Sequence, residues 1–180
     1  MKRLGLVLLA VALCVVAARP VMAQGTLRYG VSAGVLMPMG DYNKADKMGF
    51  VGGAGATYWL PGNVGIRGDL SYSQSSHDGG IAGHTKIMGG MASVVYALNP
   101  ASAPARIMLT GGLGLYNVKV NVGTTSASSS KIGFGGGAAV AFKLGTGSTR
   151  LVVATRYTSI STTGSSTTFL PITVGLSFGK

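Results

Sequence analysis

Three sets of side chains in this sequence have the types needed for chemistry. Ser76, His77 and Asp78 are consecutive, with His84 a few residues on. A hydroxyl, an imidazole and a carboxylate are the parts of a nucleophilic hydrolase, but that machinery is assembled by geometry. Three neighbours on one polar loop do not aim their functional atoms at one another. The chain contains no glutamate, so Asp78 alone would have to orient the base. Catalysis is not expected, and a lipid-modifying enzyme is a lesser alternative. The second set is Arg67, Asp69 and Arg156. On a strand, residues two apart share a face, and a carboxylate placed inside a fold needs a partner. Asp69 is expected to pair with Arg67 or Arg156 as a structural ion pair rather than a proton relay. The third set is Lys44, Lys47, Lys86, Lys119 and Lys131, which suit lipid phosphates or simply a solvated surface. Asp41, Asp46 and Asp78 lie among them and dilute their field. Gly133 to Gly137 are not a phosphate loop, because no helix follows them. Nothing points to a metal or a cofactor.

Residues 1–23 must be set aside before the positioning elements are read. Lys2 and Arg3 precede an apolar run from Leu4 to Ala18, and Val21-Met22-Ala23 has the small-residue form of a cleavage site. A secretory leader cut before Gln24 is expected, with one domain over 24–180. The single cysteine, Cys14, lies inside that leader, and Leu13 before it is too large for a lipoprotein site. The remainder then has no thiol and no disulfide. The formal charge of +11 falls to +8 without Lys2, Arg3 and Arg19. These charges are scattered singly on an exported chain, so a nucleic-acid partner is not expected. Mean hydropathy is +0.42 with only 11% charged residues. No apolar run after the leader approaches the roughly 20 residues of a membrane helix. A closed β-barrel is the remaining way for such a chain to live in lipid.

The periodicity agrees. Eight runs alternate large apolar with small or polar residues, which is the strand period: 26–37, 48–60, 64–73, 85–98, 105–122, 131–144, 150–160 and 168–180. The last is the clearest, with Leu170, Ile172, Val174, Leu176 and Phe178 on one face; it is expected to close against the first. Connections after the second, fourth and sixth runs are compact and rich in Pro, Gly and Asn. The others are mostly longer and polar, including 38–47, 74–84, 123–130 and 161–167. In the fifth run Leu113 and Leu115 have one parity and Val118, Val120 and Val122 the other. A bulge near Tyr116 would repair this, or the strand protrudes beyond the membrane there. Pro171 cannot donate to a ladder. It is expected near the outer rim at a bulge or frayed pairing, with Phe169 above the membrane.

Aromatics decide which face meets lipid. With the first run starting at the periplasmic side, Tyr29, Tyr58, Tyr96, Phe142 and Phe178 fall at periplasmic strand ends. Phe50, Tyr72, Phe134 and Tyr157 fall at outer ends, all on the apolar face. Two such girdles mark a membrane barrel, whereas a lipocalin-like soluble barrel would turn this face inward. Trp59 and Phe169 do not obey the facing rule, and Tyr116 is ambiguous. The predicted fold is therefore all-β, an eight-stranded antiparallel up-and-down transmembrane β-barrel. The small lumen residues Gly133, Gly135, Gly137, Ala139 and Ala141 either make room for long side chains or leave a thin wet passage; the filled barrel is favoured.

The leader, the eight alternating runs, the Pro-Met-Gly-Asp-Tyr stretch after the first run and the final strand ending in Phe178 resemble the small outer-membrane β-barrel proteins of the OmpA/OmpX type. The resemblance covers essentially everything after the leader. It implies a bacterial outer-membrane location, a monomer, and contact with outer-membrane lipid and lipopolysaccharide. It also implies biogenesis through periplasmic chaperones and the barrel-assembly machinery, which reads the terminal strand; Gly179 and Lys180 after the aromatic depart from that signal. The resemblance is poor for function; the function expected is structural or surface-interacting and non-catalytic. The alternative is a small, weakly conducting channel. The role of His77 is left open.

Overall fold

The computed structural model describes residues 25–44, 46–77, 83–122, 125–162 and 165–179. Residues 1–23, expected to be a leader, and Asp78 lie outside them. Eight strands follow one another: β1 (Thr26–Met39), β2 (Gly49–Trp59), β3 (Val64–Ser76), β4 (Gly83–Ala97), β5 (Ala105–Val122), β6 (Thr125–Lys143), β7 (Arg150–Thr162) and β8 (Ser165–Phe178). A 3₁₀ turn, Gly40–Lys44, lies between β1 and β2. Each strand pairs antiparallel with its neighbour in sequence, and β8 returns to β1, with Tyr29 opposite Phe178 and Met39 opposite Thr168. Closure removes both edges, so no row of backbone donors and acceptors is left for another chain.

The apolar face points outward. Leu70 and Leu115 are 71% and 69% exposed, and Val31, Ile66, Val94, Leu113, Ile132 and Val174 are exposed with them. The inward positions between them are small or polar, such as Ser32, Gly53, Ser71, Ser93, Thr110 and Thr173. A soluble barrel buries the opposite face, because a continuous apolar band in water drives association. Among the described residues no helix is long and apolar enough to cross a membrane; strands make the crossing instead. The compact connections lie at the end that carries the termini. Gly62 and Gly145 supply positive φ there, at +101° and +61°, a conformation that side chains with a Cβ resist.

Several expectations about the opposite, loop-bearing end are corrected. The segment 125–130 is not a solvated loop; its serines continue β6 in register with β5, from Val122 opposite Thr125 down to Ala105 opposite Phe142. The fifth strand contains no bulge near Tyr116, since its register with β4 is unbroken from Gly83 opposite Val122 to Ala97 opposite Met108. The parity break is instead a change of surroundings along one continuous strand. Pro171 is not at the rim and makes no bulge. It sits opposite Leu36 inside the β1–β8 ladder. On its other side the β7–β8 ladder lapses between Thr155–Ile172 and Thr158–Phe169 without losing register. A missing donor there costs local pairing rather than alignment.

The lumen and its two ends as the candidate site

Halfway along the lumen lies the charge cluster. Asp69 on β3 receives Arg67 Nε at 2.7 Å and Arg67 Nη2 at 2.6 Å on Oδ1, while Arg156 on β7 donates to Oδ2 at 3.1 Å. Both arginines engage the carboxylate, where the spacing alone left a choice between them. Arg156 also lies 3.3 Å from Met91 Sδ, and Tyr116 Oη lies 3.6 Å from the same sulfur. The cluster is thus tied to the residues above it.

Above it, toward the loop end, the lumen is sealed. Tyr116 points inward and is 5% exposed. Its ring lies where three strand glycines leave room. A Cβ on Gly89 would stand 2.3 Å from the ring, and one on Gly114 or Gly133 2.9 Å from it. Phe169 meets Tyr116 edge-on, with ring centroids 6.4 Å apart. Leu36, Val51, Ile87 and Ile160 complete an apolar plug, with Tyr42 of the 3₁₀ turn over it and Val118 against it. Phe169 therefore does not stand above the membrane; it is a lumen residue, and so is Trp59.

A polar cap covers the plug. Asp46, 3% exposed, accepts Ser75 Oγ at 3.1 Å and His77 Nδ1 at 3.0 Å on Oδ1, and Thr85 Oγ1 at 3.1 Å on Oδ2. Since the carboxylate only accepts, the imidazole carries its proton on Nδ1. Ser75 gives its hydrogen to Asp46, so the Tyr42 hydroxyl donates to Ser75 Oγ, at 2.7 Å. Burial pushes the Tyr42 phenol up to about 12, reinforced by the Asp46 charge. Asp46 is thus no part of a surface field diluting the lysines; it ties the first loop to the β3–β4 hairpin. Ser76, the expected hydroxyl neighbour of His77, is exposed. Here Ser75 and Thr85 bond the carboxylate and Tyr42 bonds Ser75; none of the described hydroxyls bonds the imidazole, so no nucleophile–base pair forms among them. His84 is elsewhere, 3.2 Å from Asn121 Nδ2.

Below the charge cluster the lumen is open. A cavity of about 460 Å³ runs from the turns Leu60–Gly62 and Ala101 up to Tyr116 and Phe169. Ala138, Ala139, Ala141, Gly53 and Gly55 line its walls. The small residues admit the Tyr116 ring in one half and leave space in the other, a cavity that ends at the plug and not the passage offered as the second alternative. Arg28, Arg106 and Arg150 stand at the mouth. Arg28 donates to the carbonyl oxygens of Gly179 at 3.0 Å and Ser177 at 3.2 Å, and to that of Ser148. The Arg106 guanidinium lies 3.7 Å from the Trp59 ring centroid.

The proposed girdle residues all share the outward face. Tyr29, Tyr96, Phe142 and Phe178 are exposed at the termini end, with Tyr58 half-buried. Phe50 and Tyr72 lie together near the loop end, ring centroids 6.1 Å apart, and Tyr157 is exposed on β7. Phe134 falls at the middle of β6, because that strand extends further than its alternation alone suggested. The sequence missed Asp46, Tyr116, Trp59 and Arg106 as lumen residues. The facing exceptions at Trp59 and Tyr116 were the available signal.

An outward apolar band, closure by eight strands and a polar-lined lumen define a membrane-spanning β-barrel. The model of the outer membrane protein beta-barrel domain matches residues 6–178, and the chain belongs to that family. Solved structures of similar fold include Neisserial surface protein A (TM-score 0.66, 17% identity, 86% of this chain and 97% of that one). A major outer membrane protein from Thermus thermophilus is also similar (0.59, 13%, 87% and 99%). So is Ail, the attachment invasion locus protein of Yersinia pestis, solved with the heparin analogue sucrose octasulfate (0.55, 18%, 87% and 97%). At these identities the likeness is one of fold. No curated protein matches the chain in sequence.

Proposed function

We propose that this outer-membrane barrel is non-catalytic and non-conducting, and that its loop end engages anionic groups at the cell surface, lipopolysaccharide phosphates first among them. The observation that carries this reading is the plug of Leu36, Val51, Ile87, Tyr116, Ile160 and Phe169, which blocks the lumen on the loop side. The interaction half rests on Lys86 and Lys119. They stand directly opposite each other in the β4–β5 register, beyond Met88 on the outward side. Like charges so placed repel, and an anion between them turns that cost into attraction. Ail, of similar fold, was solved with a polysulfated sugar, which fits the same chemistry. The terminal strand, Leu170 to Phe178, serves biogenesis as the segment presented to the assembly machinery.

A weakly conducting channel is the second reading, favoured by the cavity of about 460 Å³ on the other side of the plug. Conductance of the refolded protein in planar bilayers separates the two. The wild type is expected to show no steady channel, and Tyr116→Ala combined with Phe169→Ala to show one. Steady conductance by the wild type would establish the channel reading instead.

A further inference from the structure

The cationic mouth at the termini end is not used by that function. Arg106 is only 6% exposed, yet among the described residues no hydrogen bond or ion pair reaches its guanidinium; its Nε is buried without a partner. Its neighbour is a ring face, which attracts a cation but satisfies no N–H. Arg150 donates one Nη2 bond to Ala101 O, at 2.6 Å, and its Nη1 is likewise buried and unpartnered. Arg28, Arg106 and Arg150 lie near enough for their charges to repel, and Lys143 stands opposite Arg150 in the β6–β7 register at the rim.

The chain has few carboxylates to relieve this. Its acidic side chains are Asp41, Asp46, Asp69 and Asp78. Asp69 is engaged by Arg67 and Arg156, and Asp46 is held in the cap. In sequence Asp41 falls in the connection after β1 and Asp78 in the one after β3, both connections of the far end. Burying cations without counter-charge is costly. A fold that gathers several at one mouth has the makings of an anion site.

We propose that the mouth is a binding site for the phosphate or carboxylate group of a small periplasmic solute, held by Arg106 and Arg150, with Arg28 bracing the rim. The periplasmic assignment rests on the membrane orientation taken above; the anion chemistry does not. The cavity of about 460 Å³ behind the arginines is the size of a small-ligand site. Its alanine and glycine walls leave room for the uncharged part of the solute, and the plug makes it blind. Uptake from the periplasm and release must use the same opening.

Trp59 is the only tryptophan, and it lies against Arg106, so the site carries its own reporter. The mature protein, refolded in an uncharged maltoside detergent, is titrated with inorganic phosphate and, separately, acetate at constant ionic strength. Trp59 emission is expected to change saturably with at least one of the two; the arm that saturates at lower concentration names the preferred group. Arg106→Gln and Arg150→Gln should each weaken binding roughly tenfold or more. Phosphorus NMR line broadening of phosphate gives a second readout, independent of the tryptophan. A linear, non-saturating response to both anions would overturn the proposal. So would saturation that survives both substitutions, or that appears only after residues are appended beyond Lys180, which would make the chain terminus the occupant. Conductance through the wild-type barrel would remove the proposed function without touching this result.

Discussion

At the loop end of the lumen a buried carboxylate, Asp46, receives three hydrogen bonds and rests over an apolar plug. At the termini end a buried guanidinium, Arg106, has a ring face and no acceptor among the described residues. Both are charges turned into the same narrow tube. The loop end satisfies its charge with neighbouring hydroxyls and an imidazole, and excludes everything else. The termini end has cations in excess and space beside them. A closed end whose buried carboxylate is engaged by three donors is structural, although His77 Nε2 there is buried without a partner, whereas an open end with unpaired cations and space beside them can take a ligand. Arg67, Asp69 and Arg156 line the open half just short of the plug.

The largest effect is expected from making the closed end resemble the open one. Tyr116→Ala removes the ring at the centre of the plug and leaves a cavity over Gly89 and Gly133. It should cost about 3–5 kcal/mol in urea unfolding of the refolded protein. Next is the charge cluster. Asp69→Ala leaves two guanidinium groups facing each other in the lumen and should cost about 3 kcal/mol; an unchanged urea midpoint would show that lumen water, not Asp69, neutralises them. The smallest concerns the cap. The Tyr42 phenol, raised from its ordinary 10.0 to about 12 by burial, binds its proton more tightly when folded. The stability it contributes is therefore complete below about pH 10 and lost as pH rises toward about 12. Amide protection in 75–77 and 83–85, taken relative to the base-catalysed exchange of unstructured amides, should fall across that window. In Tyr42→Phe, which keeps the ring and loses about 1 kcal/mol of hydrogen bonding, that pH-dependent loss of protection should disappear.

Much of the barrel was legible because alternation has to be repeated on every strand. Val64, Ile66, Leu70 and Tyr72 name their own face, and a one-residue slip would turn all four inward. The serines of 125–130 were not legible as strand, since small polar residues carry no alternation and read as loop. Phe169 misled for a related reason. Beside Pro171 it was expected above the membrane, whereas the ladder lapses on one side only and the strand continues with Phe169 in the lumen. The Asp69 cluster was partly legible: two-residue spacing puts Arg67 beside it, but Arg156 lies 87 positions away and arrives only through barrel closure. Asp46 and His77 were out of reach, because a loop's fold-back leaves no periodic trace.

The sequence by itself determined the number of strands, their order and the face each turns to lipid, because these follow from period-2 pattern and turn chemistry within each segment. Only the tertiary structure decided what fills the tube. Which glycines yield to Tyr116, which carboxylate meets His77, and which arginines are left without an acceptor depend on strands far apart in the chain meeting across the lumen. Alternation specifies inward or outward, but it carries no information about what stands on the other side.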